Sequence, residues 1–155
     1  LVGIQGPRCP EIAMSFRWDS AINGSGYPGT VYSTGGAPGN GQHGSMSKHE
    51  MNNVLIARGP SFKQNLTVDT PSGNVDLAPT VLRILGITDG PPMDGRILEE
   101  ALAGGANPRS MALESPWTKV HYAEHQQGQQ VYRQWIEVSR VGTTAYVDGG
   151  NGESA

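Results

Sequence analysis

The chain has 155 residues and a formal net charge of −3, with Gly at 22 positions and Leu, Ile, Val or Phe at 30. That apolar share sits at the ~20 % line below which chains struggle to build a core of their own, yet the high net charge that accompanies disorder is missing. There is no Lys/Arg block to displace counterions from nucleic acid. No apolar run approaches the ~20 residues of a membrane-spanning helix. Cys9, being alone, excludes an internal disulfide framework and a Cys-based zinc site, and reads as a bystander. A thin core at low charge suggests a loop-rich chain, or one whose core is shared with another segment. The start, Leu1-Val2-Gly3-Ile4, reads as cut from a longer polypeptide.

Residues 12–18 alternate, with Ile12, Met14, Phe16 and Trp18 on one side and Ala13, Ser15 and Arg17 on the other, which predicts a strand with one better-buried face. Residues 20–45 are rich in Gly, Pro and Ser, a length of loop that is uncommon in a compact domain unless it serves a site. Ser47 to Asn53 is polar and suits a short turn of helix. Val54-Leu55-Ile56-Ala57, closed by Gly59-Pro60, predicts a short strand covered on both faces. The spacing of Leu77, Val81 and Leu85 predicts a helix over 76–86, with Asp76 as its cap, Pro79 in the first turn and Gly86 as its end. A second short helix is expected from about Arg96 to Leu102. Beyond it, Trp117–Tyr122, Gln130–Val138 and Thr143–Asp148 are rich in aromatic and β-branched residues and predict three strands, the last two joined by a tight turn near Arg140–Gly142.

The segment that points to chemistry is Gly39-Asn40-Gly41-Gln42-His43-Gly44-Ser45. Glycines on both sides of an imidazole permit close backbone approach and unusual φ, and imidazole is the commonest zinc ligand. Alone, the segment is weak evidence and reads more simply as a surface loop. A catalytic zinc site needs about three protein ligands, and no HxH, HExxH or DxD run supplies them. His121 and His125 are expected on a strand and the turn after it, as ordinary polar residues, and His49 on a solvated turn. Asp19, at a strand end, reads as a cap or turn residue, with support of a metal-bound His as the alternative. Ser45 lacks the base and orienting group that a nucleophile requires. Asp94-Gly95 reads as a turn, and Trp18, Trp117 and Trp135 as core aromatics. Asn23-Gly24-Ser25 and Asn65-Leu66-Thr67 match the glycosylation pattern.

The stretches PEIAMSFRWD (10–19), GQHGSMSKHEMNNVLIARGPSF (41–62), SGNVDLAPTVLRILGI (72–87), DGRILEEAL (94–102) and RVGTTAYVDGGNG (140–152) follow one another in an order that resembles the C-terminal part of type I phosphodiesterases/nucleotide pyrophosphatases, a branch of the alkaline phosphatase superfamily. No one stretch is decisive; the ordered set is fairly specific. The resemblance implies an α/β fold, the C-terminal part of an alkaline-phosphatase-like α/β/α sandwich. Residues 1–108 would belong to the catalytic core, and residues 109–155 would form a small antiparallel β extension. It implies a parent protein that hydrolyses phosphate esters with two Zn2+ ions, one of them held by His43. The nucleophile and the other ligands would lie upstream, so the partner of this chain would be the N-terminal part of the same domain, and the chain alone would be inactive. A periplasmic or secreted location is implied with it. A sulfatase or phosphomutase of the same superfamily, or a non-catalytic module that inherited the shape, would carry the same segments.

Overall fold

The computed structural model describes residues 6–33, 36, 43–106 and 117–154. These are mixed α/β, with a three-stranded sheet and little helix. The strands β1 (Trp117–Gln127), β2 (Gln130–Val141) and β3 (Thr144–Ser154) lie in the order β1-β2-β3. The two connections, Gly128-Gln129 and Gly142-Thr143, are each two residues long, which only antiparallel neighbours permit. Gly128 takes a φ of 62°, the positive value that the first central position of a II′ hairpin turn requires. The helices are α1 (Lys48–Met51) and α2 (Leu77–Leu85), with single 3-10 turns at Asn74–Asp76 and Glu99–Ala101. Two compact units interleave along the sequence: the first comprises Leu1–Val54, Lys119–Val138 and Val147–Ala155, the second Leu55–Thr118 and Ser139–Tyr146. The division expected after residue 108 falls outside the described residues.

Among the described residues of the first unit the buried apolar side chains are Trp18 and Val138. The Trp18 indole Nε1 donates to the Gly150 carbonyl at 2.6 Å, and its ring meets Trp135 edge-on at 6.3 Å. β3 runs well past the expected Asp148, and close neighbours there leave little room for side chains at its glycines. A Cβ on Gly150 would stand 3.0 Å from the Trp135 carbonyl and 3.2 Å from the Met46 methyl. The strand expected over 12–18 forms no ladder. Its end is pinned by the bridge Trp18↔Val31, Ile22↔Pro28 follows, and Ile12, Met14 and Phe16 stand exposed. The turn of helix expected after Ser47 is α1, and Ser47 caps it by accepting from the His49 N–H at 3.3 Å.

The second unit is built on Leu98, Leu102, Val141 and Tyr146. α2 ends as expected at Gly86, whose φ of 71° is left-handed and whose N–H closes onto the last turn. Its packing face differs from the expectation. Leu77, Val81 and Leu85 are exposed, and the helix instead buries Thr80, whose hydroxyl accepts from the Leu98 N–H at 3.0 Å. The helix expected over 96–102 is a single 3-10 turn. Arg96 is committed to Asp76 through its backbone N–H, and Leu102 is drawn into a bridge with Phe62, so the few residues between them cannot offset helix nucleation. Lys63 clamps this turn, with its ammonium donating to the carbonyls of Glu100, Gly105 and Ala106.

The segment 54–57 corrects the sequence reading most. No strand forms there, and Val54, Leu55 and Ile56 are exposed at 83 %, 51 % and 85 %. A central strand requires a ladder on both sides, and the described residues offer it neither neighbour.

Candidate functional site

His43 is exposed, as is Gly44, which holds a φ of 90°. The chain then turns inward at buried Ser45 and Ser47. The Ser45 N–H donates to Glu50 at 2.7 Å, and the Ser45 hydroxyl accepts from the Ser47 N–H at 3.1 Å, so Ser45 is spent on local structure. Residues 39–42 of the candidate segment lie outside the described residues. Among the described residues no three His, Cys, Asp or Glu side chains gather to hold a metal ion. His43 is therefore one donor presented to solvent, next to a firmly tied turn.

Asp19 is engaged elsewhere. Its carboxylate accepts from the Tyr32 hydroxyl and, at 2.9 Å, from the Ala21 N–H. The Tyr32 hydrogen bond in particular holds it below the usual carboxylate range, and Tyr32 is raised in return. His49, expected on a solvated turn, is exposed as anticipated but has company. Its Nε2 lies 3.1 Å from the Ser20 hydroxyl, and its ring meets Trp18 edge-on at 5.7 Å. A Ser–His pair is two-thirds of a nucleophilic triad, but the third, orienting group has no counterpart among the described contacts of His49. Its signal was unreadable in the sequence, since Ser20 and His49 meet only through a loop.

The strongest electrostatic feature lies in the second unit, and spacing alone did not reveal it. Asp76, read as a helix cap, stands at the N-cap position of α2, but its side chain makes no cap hydrogen bond there. Its Oδ2 reaches back to accept from the Gly73 N–H at 2.9 Å and from the Tyr146 hydroxyl at 2.9 Å, while Oδ1 accepts from the Arg96 N–H at 2.8 Å. The Arg96 guanidinium forks onto Glu100 at 2.6 and 2.9 Å, and also donates to Tyr146 at 3.0 Å and to the Pro71 carbonyl at 2.9 Å. Asp76 and Glu100 are fully enclosed. Burial disfavours the Arg96 charge, but the Glu100 fork outweighs it and the guanidinium is held above its ordinary value. Gly95 permits the arrangement, because a Cβ there would run into the Val75 carbonyl. No buried side-chain nitrogen or oxygen among the described residues lacks a partner. Every polar side-chain atom of this network has a partner within the second unit, and the network ties Gly73, Asp76, Arg96, Glu100 and Tyr146 together.

One consequence is a pH dependence. Burial above all, and then the bond to Asp76, raises the Tyr146 phenol far above its ordinary value. The folded chain thus holds this proton more tightly than the unfolded chain. Stability from Tyr146 is complete below about pH 10 and declines above it, at about 1.4 kcal/mol per pH unit, until the raised native value is passed. Urea unfolding measured from about pH 9 to about pH 11.5 is expected to show this slope in the protein and its loss in Tyr146→Phe, which also forfeits about 1–3 kcal/mol at neutral pH. Equal slopes in both would place the proton elsewhere.

No family model, no curated protein and no solved structure matches the chain. No helix among the described residues is long and apolar enough to cross a membrane.

Proposed function

We propose that this chain is part of a zinc-dependent phosphoric ester hydrolase of the alkaline phosphatase superfamily, similar to phosphodiesterases/nucleotide pyrophosphatases, and that His43 is its one contribution to a two-zinc centre. The ordered set of sequence segments supports the family. The observation that carries the structural side is the exposure of the very residues whose pattern predicts core strands: Ile12 and Met14, and Val54 to Ile56. Apolar side chains in strand patterns do not stand in water without cost, about 25 cal/mol per Å2. They fit a core completed by polypeptide outside these 155 residues, and on this reading the nucleophile and the remaining ligands belong there too.

The donors among the described residues do not by themselves fit a zinc site. One exposed imidazole is short of the three donors that a catalytic zinc takes. What His43 offers is an exposed imidazole that Gly44 joins to the tied Ser45–Ser47 turn. The sulfatase and phosphomutase readings share this imidazole and differ in residues elsewhere.

The test is elemental analysis of the full polypeptide. His43→Ala is expected to lower its zinc content from about two toward about one ion per chain, while His49→Ala leaves it unchanged. Unaltered zinc in His43→Ala removes the ligand assignment and favours the non-catalytic module.

A further inference from the structure

β1 is an edge strand, with β2 as its only neighbour in the described sheet. The other edge, β3, is covered: the Gly150 N–H donates to the Met46 carbonyl at 2.8 Å, and Trp18 and Asn151 exchange hydrogen bonds beside it. β1 has no such cover among the described residues. From Lys119 to Gln127 every residue is exposed except His121, which is half-buried. A bare edge of this length is a template for another strand.

The sequence of that edge selects its partner. His121-Tyr122-Ala123-Glu124-His125 is spaced symmetrically about Ala123. The reading that placed His125 on a turn is corrected by β1 extending to Gln127, so both imidazoles lie on the strand and, two pleats apart, on one face. Within one chain they are about 13 Å apart at the ordinary rise per residue and cannot share an ion. The two-residue turn at Gly128-Gln129 fixes the register of β1 on β2, which the Glu124–Arg133 ion pair at 2.5 Å reports directly. In that register His121, Ala123 and His125 spend their backbone groups on β2, and Tyr122 and Glu124 turn theirs to the open side.

We infer that β1 pairs antiparallel with β1 of a second copy about Ala123, and that zinc bound between His121 of one subunit and His125 of the partner subunit fastens the pair. About that centre the outward backbone groups of Tyr122 meet those of the partner's Glu124. His121 then stands opposite the partner's His125 as a non-hydrogen-bonded pair, the closer of the two antiparallel spacings, with Cα atoms about 4.5 Å apart. Two imidazoles from directly opposed positions reach one ion at the usual ~2.0–2.1 Å, and water completes the coordination. The two-fold axis makes the site twice. Parallel pairing, or any antiparallel register shifted by a residue, does not set His opposite His. This centre is independent of His43 and of the hydrolase reading.

The experiment is the molar mass of the full protein by light scattering, without and with zinc chloride. Zinc is expected to double the mass, and a chelator to restore the monomer. His121→Ala and His125→Ala, both at solvent-accessible positions, are each expected to stay monomeric with zinc, because either substitution breaks both sites. An equimolar mixture of the two variants is expected to regain the dimer, since His125 of the first and His121 of the second still form one complete pair. A wild-type mass indifferent to zinc, zinc-driven growth beyond a dimer, dimerisation of either variant alone, or a mixture that remains monomeric would each overturn the proposal.

Discussion

Glu100→Ala is expected to destabilise the protein by about 3–5 kcal/mol, the cost of leaving a charge enclosed without its partner. Glu100 is 1 % exposed and takes both arms of the Arg96 fork. Without it the guanidinium keeps only the Tyr146 hydroxyl and backbone carbonyls, and it cannot shed its proton to escape the desolvation. Glu100→Gln retains the shape and one acceptor and is expected to lose about half as much. Replacing Arg96 and Glu100 together by Met and Leu is expected to recover most of the loss, because a well-packed apolar pair of similar volume avoids the desolvation of both ions. The contrast is Glu124–Arg133, whose side chains are about half exposed. Glu124→Ala there is expected to cost less than about 1 kcal/mol. Urea midpoints of the five proteins measure all of this. If Glu100→Ala falls within the range of Glu124→Ala, the fork does not hold the second unit together.

The sequence showed elements whose causes are local. α2 was legible because Pro79 and Gly86 act within a turn of their own position, and the last hairpin because aromatic and β-branched runs flank a tight turn, whereas β1 runs on past the expected Tyr122 to Gln127. It did not show what depends on distant partners. Asp76 has the chemistry of a cap, but its oxygens serve Gly73, Arg96 and Tyr146, up to seventy positions away. The Arg96-to-Leu102 segment has helical spacing, but the fork between Arg96 and Glu100, itself an i, i+4 pair, survives in a 3-10 turn instead. The 12–18 run has strand periodicity and the 54–57 run a buried strand's continuous apolar stretch, but among the described residues only the Trp18 end of the first meets a bridging neighbour. Periodicity reports which face an element would bury, and it is silent on whether anything stands there. His43 was visible because of its glycine flanks, and those flanks say that a ring can be aimed without saying at what.

Trp18→Ala is expected to cost about 3–5 kcal/mol and to act locally. Among the described residues of the first unit, Trp18 and Val138 are the buried apolar side chains. The indole does three jobs at once. It fills the space beside Trp135, offers its face to the Lys48 ammonium at 6.0 Å, and satisfies the Gly150 carbonyl at 2.6 Å. Asn151 brackets its backbone, accepting from the Trp18 N–H at 3.3 Å and donating to the Trp18 carbonyl at 2.7 Å. Truncation opens a void and orphans an acceptor on β3 in the same stroke, so amide exchange in the β3 residues Val147–Ser154 should accelerate, while α2, whose caps and contacts lie in the second unit, keeps its protection. Trp18→Phe separates the two terms: it keeps an aromatic body and loses the donor, and about 1–3 kcal/mol is expected from the unpaired Gly150 carbonyl. If Trp18→Ala leaves β3 exchange untouched, or costs no more than Trp18→Phe, the indole is not the centre of this unit, and Val138 with the Ser45–Ser47 turn must hold β3 by themselves.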